Sequence, residues 1–272
     1  MQRADLEFLI EITRSLGWTT TSSDIENFLS YEPKGCFVAD LKGEVVGSVT
    51  TTPYTHFGWI GMVLVKEELR RRGIGSALMW RAIDYLRKKG IATARLEADP
   101  PGVPLYEQLS FVKECNSERL YREGPTLPPV DGVRQATEAD LRKIRALDMQ
   151  AFGDDRTRVL ARLLRCSEFA LVSEEKPAKG MLMARMTAHG ALFGPFVAAE
   201  PQLAEHLLKA GLSRVIDAPV FVGVPETHEN ALNLLRRYGF KQRATLSRMY
   251  LGSAPRSGDP LLEYGIGASA TG

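Results

Sequence analysis

Cysteine is scarce in this chain, and its scarcity decides several things at once. Among 272 residues there are 3 cysteines: Cys36, Cys115 and Cys166. An odd number of widely spaced thiols supports neither a disulfide framework nor a zinc site. The expectation is reduced thiols in a cytoplasmic protein, with no metal. No N-terminal stretch has the pattern of a signal peptide. The most apolar long run, Gly180 to Ala199, is interrupted by Arg185 and His189, so it reads as two strands and not as a membrane span. Neither charge is in surplus. The 35 basic and 33 acidic residues leave a net charge of +2, whereas a nucleic-acid partner would call for a basic excess. What remains is ordinary for a globular protein, 44% apolar and 25% charged, and long enough for two domains.

The most informative stretch runs from Val63 to Leu78. Val63, Leu64 and Val65 close an apolar run, and Arg70, Arg71, Arg72, Gly73, Ile74, Gly75 and Ser76 follow it. Apolar residues then recur at Ile74, Leu78, Ile83 and Leu86, the period of a helix. This is a strand, a basic glycine turn and a helix start. Glycine allows tight turning and close approach of a ligand. The first N–H groups of a helix lack partners and carry the positive end of its dipole, which suits a pyrophosphate. A Rossmann fingerprint fits poorly, because Leu78 stands at the third glycine position. A Walker loop fails for want of Gly-Lys-Ser/Thr. On this segment alone, a solvated turn with a basic helix start remains the alternative.

The run Arg70-Arg71-Arg72-Gly73-Ile74-Gly75 resembles the (Gln/Arg)-x-x-Gly-x-(Gly/Ala) signature of the GCN5-related N-acetyltransferases, the GNAT superfamily. Further on, Leu105-Tyr106-Glu107-Gln108-Leu109-Ser110-Phe111 is similar to that family's Leu-Tyr-x-x-x-Gly-Phe element. Ser110 replaces the usual glycine, a departure that bears on the backbone of that turn. The resemblance implies that the loop wraps the pyrophosphate of acetyl-CoA, that the backbone of Val63 and Val65 bonds the pantetheine, and that Tyr106 lies near the coenzyme sulfur as general acid.

The chain also repeats itself. The run ending at Phe111 lines up with Leu234-Leu235-Arg236-Arg237-Tyr238-Gly239-Phe240, and with the same offset Arg119-Leu120-Tyr121 meets Arg248-Met249-Tyr250. The second copy lacks the Gly-x-Gly and the arginine run, and Leu235 stands where Tyr106 does in the first. Two tandem GNAT-like domains are therefore expected, α/β (α+β) in class, each a mixed, mostly antiparallel twisted sheet flanked by helices. The boundaries expected are 1–123 for a catalytic domain, 124–132 for a Pro/Gly-rich linker, 133–252 for a degenerate GNAT-like domain and 253–272 for a weakly patterned tail. Only Met1 and Gln2 precede the first helix, so either the family's opening strand is missing from the first domain or the natural start lies upstream. The second copy is expected to wall the acceptor cleft, with one CoA per chain bound in the first domain.

Acetyl transfer needs a fixed thioester, a neutral amine and a proton for the departing thiolate. Glu97 and Asp99 lie two apart on a predicted strand, hence on one face, and are candidates for handling the amine proton. His56 is another candidate beside the substrate, because its ordinary pKa suits the task. Glu226, His228 and Asn230 cluster at a predicted helix start in the second copy, as substrate-lining candidates or simply as helix-start residues. The expected function is transfer of an acetyl or short acyl group from CoA to a primary amine, more readily of a small metabolite than of a protein. The partners expected are acetyl-CoA and that amine, without nucleic acid or membrane, in a monomer or homodimer. A non-catalytic acyl-CoA-binding module and an aminoglycoside-type acetyltransferase are the alternatives.

Overall fold

The strand, basic turn and helix start read between Val63 and Leu78 are all present. The computed structural model describes every residue except 19, 176–177 and 255–257. The first half holds α1 (Leu6–Ser15), α2 (Ser22–Tyr31), β1 (Phe37–Leu41), β2 (Glu44–Pro53), β3 (Gly58–Val65), α3 (Ile74–Lys88), β4 (Ala94–Ala98), α4 (Val103–Gln108) and β5 (Val112–Arg122). The second half holds β6 (Val133–Gln135), α5 (Glu138–Phe152), α6 (Thr157–Cys166), β7 (Phe169–Ser173), β8 (Gly180–Thr187), β9 (Gly190–Ala198), α7 (Pro201–Leu212), β10 (Val220–Pro225), α8 (Glu229–Arg237), β11 (Lys241–Leu251) and β12 (Glu263–Gly265). Among the described residues no strand precedes α1, whereas β6 precedes α5.

The compact units cut across the linear division expected from the sequence. Unit 1 is Met1–Glu114 together with a segment opening at Ser247 and with Ser269–Gly272. Unit 2 is Cys115–Leu246 with a later segment closing at Ala268. Most of β5 thus belongs to unit 2, and the end of β11 to unit 1. A Pro/Gly-rich linker marks where the chain lacks regular structure, but strand pairing decides which residues pack together, and β5 and β11 are long enough to change company midway.

In unit 1, β1, β2 and β3 pair antiparallel in that order. β3 pairs parallel with β4, and β4 pairs antiparallel with Ser247–Leu251 of β11. The β1–β2 hairpin turns on Lys42 (φ 57°) and Gly43 (φ 87°), both left-handed as a two-residue hairpin requires. Helix α3 lays Leu78, Met79, Ala82, Ile83 and Leu86 against Val49, Ile60 and Leu96 of the sheet, the i, i+4 stripe of an amphipathic helix. In unit 2, β6, β7, β8 and β9 pair antiparallel. β9 pairs parallel with β10, and β10 pairs antiparallel with Ser117–Arg122 of β5. The core there joins Leu182, Phe193 and Phe196 to Leu207, Val222 and Leu235.

The turn after α4 keeps the shape that glycine normally serves. Ser110 is held at φ 66°, and the N–H of Phe111 donates to Tyr106 O at 2.9 Å. The matching turn of the second copy uses Gly239 at φ 82°, with Phe240 N donating to Leu235 O at 3.1 Å. A side chain in this region is strained. Ser110→Gly is expected to stabilise the protein by about 1 kcal/mol after glycine's greater freedom in the unfolded chain is set against the relief. In a melting experiment that is a rise of roughly 2–4 °C. An unchanged or lower Tm would show that the turn absorbs the serine without strain.

Candidate active site

The site in unit 1 begins where two parallel strands part. β3 and β4 pair only at Gly58↔Ala94 and Trp59↔Arg95. Just beyond, Met62 takes φ 50°, and the β2–β3 register shifts between Ser48 and Thr50. The hydroxyl of Ser48 donates to Met62 O at 2.8 Å and fastens this bulge. A bulge bends its strand and increases the local twist. Past Trp59, therefore, Val63, Leu64 and Val65 pair with no strand on the β4 side among the described residues.

The basic turn lies at the far end of that open edge. Arg71 has φ 60° and Gly73, the residue before α3, φ 81°. Open space surrounds the place where a Cβ of Gly73 would sit. A Cβ on Gly75 would point into the gap between Val65 and Leu105, 3.2 Å from Leu105 Cδ2 and 3.8 Å from Val65 Cγ2. The N–H groups of Ile74, Gly75 and Ser76 open the helix, whose first internal bond here is Ala77 N to Gly73 O at 2.9 Å. Arg70, Arg71 and Arg72 are all exposed. The Nε of Arg70 donates to Val65 O at 3.2 Å. Three cations at a helix N-terminus, beside a glycine backbone with nothing crowding it, make a site shaped for a polyanion.

Tyr106 is buried on α4, in the same apolar cluster as Leu78 and Met79, and meets Phe111 edge-on at 6.0 Å. Burial raises its pKa, and the negative charge of Asp99 adds to the effect. The structure thus brings Tyr106 and Asp99 into one neighbourhood. Glu97 has different surroundings. Its carboxylate is fully enclosed and faces Arg248, 3.3 Å away on β11. The Arg95 guanidinium, paired with Glu114 at 2.6 Å, and that of Arg248 each lie 5.5 Å from the Trp59 ring. Neither Trp59 nor Arg248 stands out in the sequence. The one signal was the repeated Arg-x-Tyr of Arg119-Leu120-Tyr121 and Arg248-Met249-Tyr250, an arginine set among strand residues.

Two sequence patterns, described as the Acetyltransferase (GNAT) family and the Acetyltransferase (GNAT) domain, match residues 6–111 and 144–262. A candidate acetyltransferase of Pyrococcus horikoshii, known from its crystal structure, superposes with a TM-score of 0.89 at 30% identity, covering 100% of this chain and 94% of that one. The chain belongs to the GNAT acetyltransferase family. It is also 23% identical over 238 residues to the uncharacterised N-acetyltransferase YitH of Bacillus subtilis, across 85% of this chain and 83% of that protein. N-alpha-acetyltransferase 30 of Dictyostelium discoideum is 31% identical over 104 residues, which is 36% of this chain and 56% of that protein. The chain thus spans little more than half the length of this last relative.

The second GNAT unit has the same parting of strands and fills it differently. β9 and β10 pair only over Ala191–Phe193 and Val220–Val222. Beyond that point β12 pairs antiparallel with β9, setting Glu263 opposite Val197 and Gly265 opposite Phe196. The N–H of Ile266 donates to Gly223 O on β10 at 2.9 Å. Glu263–Gly265, from the tail that is weakly patterned in sequence, is therefore docked. The helix that follows β9 starts with Pro201, behind Glu200. Proline brings no N–H to that turn, and the Glu200 carboxylate, which Lys179 reaches at 3.3 Å, is itself an anion.

The other residues singled out in the sequence lie elsewhere. His56 is exposed in the bend between β2 and β3, at the opposite end of β3 from the glycine turn. In unit 2, Glu226 uses both carboxylate oxygens on Asn116, accepting from its backbone N at 2.7 Å and its Nδ2 at 2.8 Å. Asn230 is exposed on α8. Glu226 is thus engaged by Asn116, while His56 and Asn230 stand at the surface. No helix among the described residues is long and apolar enough to cross a membrane. All three cysteines are free thiols, and burial pushes that of Cys36 up to about 11.

His228 takes the helix-start position that was one of the two readings of its cluster. It is 1% exposed, caps α8 through Nδ1, which accepts from Ala231 N at 3.4 Å, and stacks edge-on against Tyr264 at 4.5 Å. Burial pulls its pKa down from 6.5 to about 4, against the opposing charge of Asp259. Between those values the unfolded chain takes up a proton that the folded ring refuses. The stability His228 contributes is therefore complete above pH 6.5 and is lost as the pH falls towards 4. His228→Asn keeps a capping acceptor and removes the titration, so Tm should fall less steeply with acid across that window. Parallel Tm–pH curves for the two proteins would contradict this.

Proposed function

We propose that unit 1 binds acetyl-CoA along the open edge of β3 and transfers its acetyl group to a primary amine. The observation that carries the reading is the contrast between the two units. One has an open strand edge ending in a cationic glycine turn; the other has its own chain on that edge and a proline and a glutamate at the helix start. The residues of unit 1 fit the coenzyme. Backbone N–H groups from Arg71 to Ser76 would hold the pyrophosphate, with Arg70, Arg71 and Arg72 adding charge, and the backbone of Val63, Leu64 and Val65 would bond the pantetheine amides. When bound, acetyl-CoA supplies an activated thioester.

The chain's own groups do the rest. Tyr106, with its pKa raised by burial and by Asp99, keeps its proton at neutral pH and suits the role of donor to the departing sulfur. Asp99 is partly exposed and stands beside it, which favours Asp99 for taking up the amine proton. Glu97, enclosed and paired with Arg248, is better suited to fixing charge on the acceptor face. Three free thiols accord with a reducing, cytoplasmic setting.

Two measurements test the reading. Calorimetry should give one CoA per chain, and Gly75→Val, which fills the gap between Val65 and Leu105, should weaken binding by about tenfold or more in a folded protein. Two CoA per chain, or unchanged affinity in the variant, would remove the glycine turn from the mechanism. Tyr106→Phe should lower kcat by roughly 10²-fold with little change in CoA affinity, measured as thiol release from acetyl-CoA with a panel of amines. Normal turnover would leave Tyr106 a packing residue. A protein that binds CoA but releases no thiol with any amine would be a binding module.

A further inference from the structure

The chain's own residues Ser269–Gly272 sit on β3 in unit 1. The indole Nε1 of Trp59 donates to Ser269 O at 2.9 Å, and the hydroxyl of Tyr54 donates to Thr271 O at 2.7 Å. Between these two bonds Ala270 lies directly over Gly61, where a Cβ would come within 2.6 Å of both the Cα and the carbonyl oxygen of Ala270. Glycine at 61 is thus what lets another main chain lie on the strand. Trp59, Tyr54, Ala270 and Thr271 are all buried.

The location gives these contacts meaning. Gly61 is just beyond the last β3–β4 pair, at the mouth of the parting. Ile60 faces the α3 core, so its neighbours Trp59 and Gly61 face the other way, towards Arg95 and Arg248. This is the side on which Glu97 meets Arg248. The occupant has small side chains, and two of its carbonyl oxygens accept from Trp59 and Tyr54.

We propose that this face of β3 is the acceptor subsite, that Ser269–Gly272 is its internal occupant, and that the acceptor displacing it is a peptide-like amine with amide carbonyls. The proposal rests on the acetyl-transfer reading above. Its physical basis is the pair of buried donors. When Ser269–Gly272 leaves, the indole N–H and the phenol O–H lose these two carbonyl oxygens. An acceptor with two amide carbonyls replaces those bonds, whereas a simple alkylamine brings no oxygen. Gly61 adds shape selection, because only a main chain or an equally flat group can take the place of Ala270. The acceptor class moves accordingly, from the small metabolites expected from the sequence to peptide amines.

The test compares the full chain with one ending at Ala268, using thiol release from acetyl-CoA with two probes, the tetrapeptide Ser-Ala-Thr-Gly with a free N-terminus and n-butylamine. The shortened chain should show a KM for the tetrapeptide lower by about tenfold, with kcat and CoA affinity little changed. Its turnover of butylamine should hardly move. Full-length Gly61→Ala, which pushes Ala270 off the strand and equally bars a peptide from it, should show faster amide exchange at residues 269–272 and a raised KM for the tetrapeptide with butylamine unaffected, and so keeps the test valid should the shortened chain misfold. Trp59→Phe should raise the peptide KM without affecting CoA binding. CoA binding with identical kinetics in all chains, or butylamine performing as well as the tetrapeptide, would overturn the subsite. Failure of every chain to bind CoA would instead overturn the acetyl-transfer reading, and the subsite's role with it.

Discussion

The parting of β3 from β4 after Trp59 governs the rest of unit 1. A strand that loses its neighbour exposes a row of N–H and C=O groups, and such groups are costly to leave without partners inside a protein. The bulge at Met62, fastened by Ser48, makes the parting permanent. Whatever fills the opening must bring its own donors and acceptors in an extended form. A pantetheine arm, with two amides in a flexible chain, meets that description. The glycine turn and the N-terminus of α3 then deal with the charge at its far end. On the proposed reading, the fit to the coenzyme follows from a strand geometry that the Ser48 hydroxyl helps to fix.

Unit 2 meets the same geometric problem with a strand of its own chain. Its strands part after Phe193, and β12 supplies the missing hydrogen bonds. Once a peptide strand holds that edge, nothing maintains the anion site beyond it, and Pro201 and Glu200 are consistent with its absence. The dipole of α7 remains, but at an exposed terminus it contributes only about 0.3–1 kcal/mol. The two units are one architecture with two different solutions to an unpaired edge.

Legibility from sequence tracked the range of the interaction. The glycine turn, the length of α3 and the helix bearing Tyr106 are encoded within a few residues each, and all were readable. The left-handed turn at Ser110 survived a substitution that the local pattern disfavours, because the bond from Phe111 N to Tyr106 O fixes it. Arg248 and the pairing of β12 with β9 were not readable. They depend on partners more than sixty residues away for β12 and more than a hundred for Arg248, with no period to announce them. The helix-start cluster left two readings open for a chemical reason. Glu226 and His228 have the same polar groups whether they bind a substrate or close off an Asn116 and an α8 terminus.

The exchange of strand ends explains why a unit without the cofactor signature is retained. Ser247–Leu251 pairs with β4 in unit 1, and Arg248 on that segment is the partner of the enclosed Glu97. Removing one member of a buried ion pair leaves a charge that the interior solvates poorly, a loss of roughly 3–5 kcal/mol, a large share of the about 5–15 kcal/mol that holds a typical domain folded. The first repeat alone therefore has neither the strand that covers the outer edge of β4 nor the cation that Glu97 requires. On this argument the second repeat is retained first for completing unit 1, independently of any chemistry of its own.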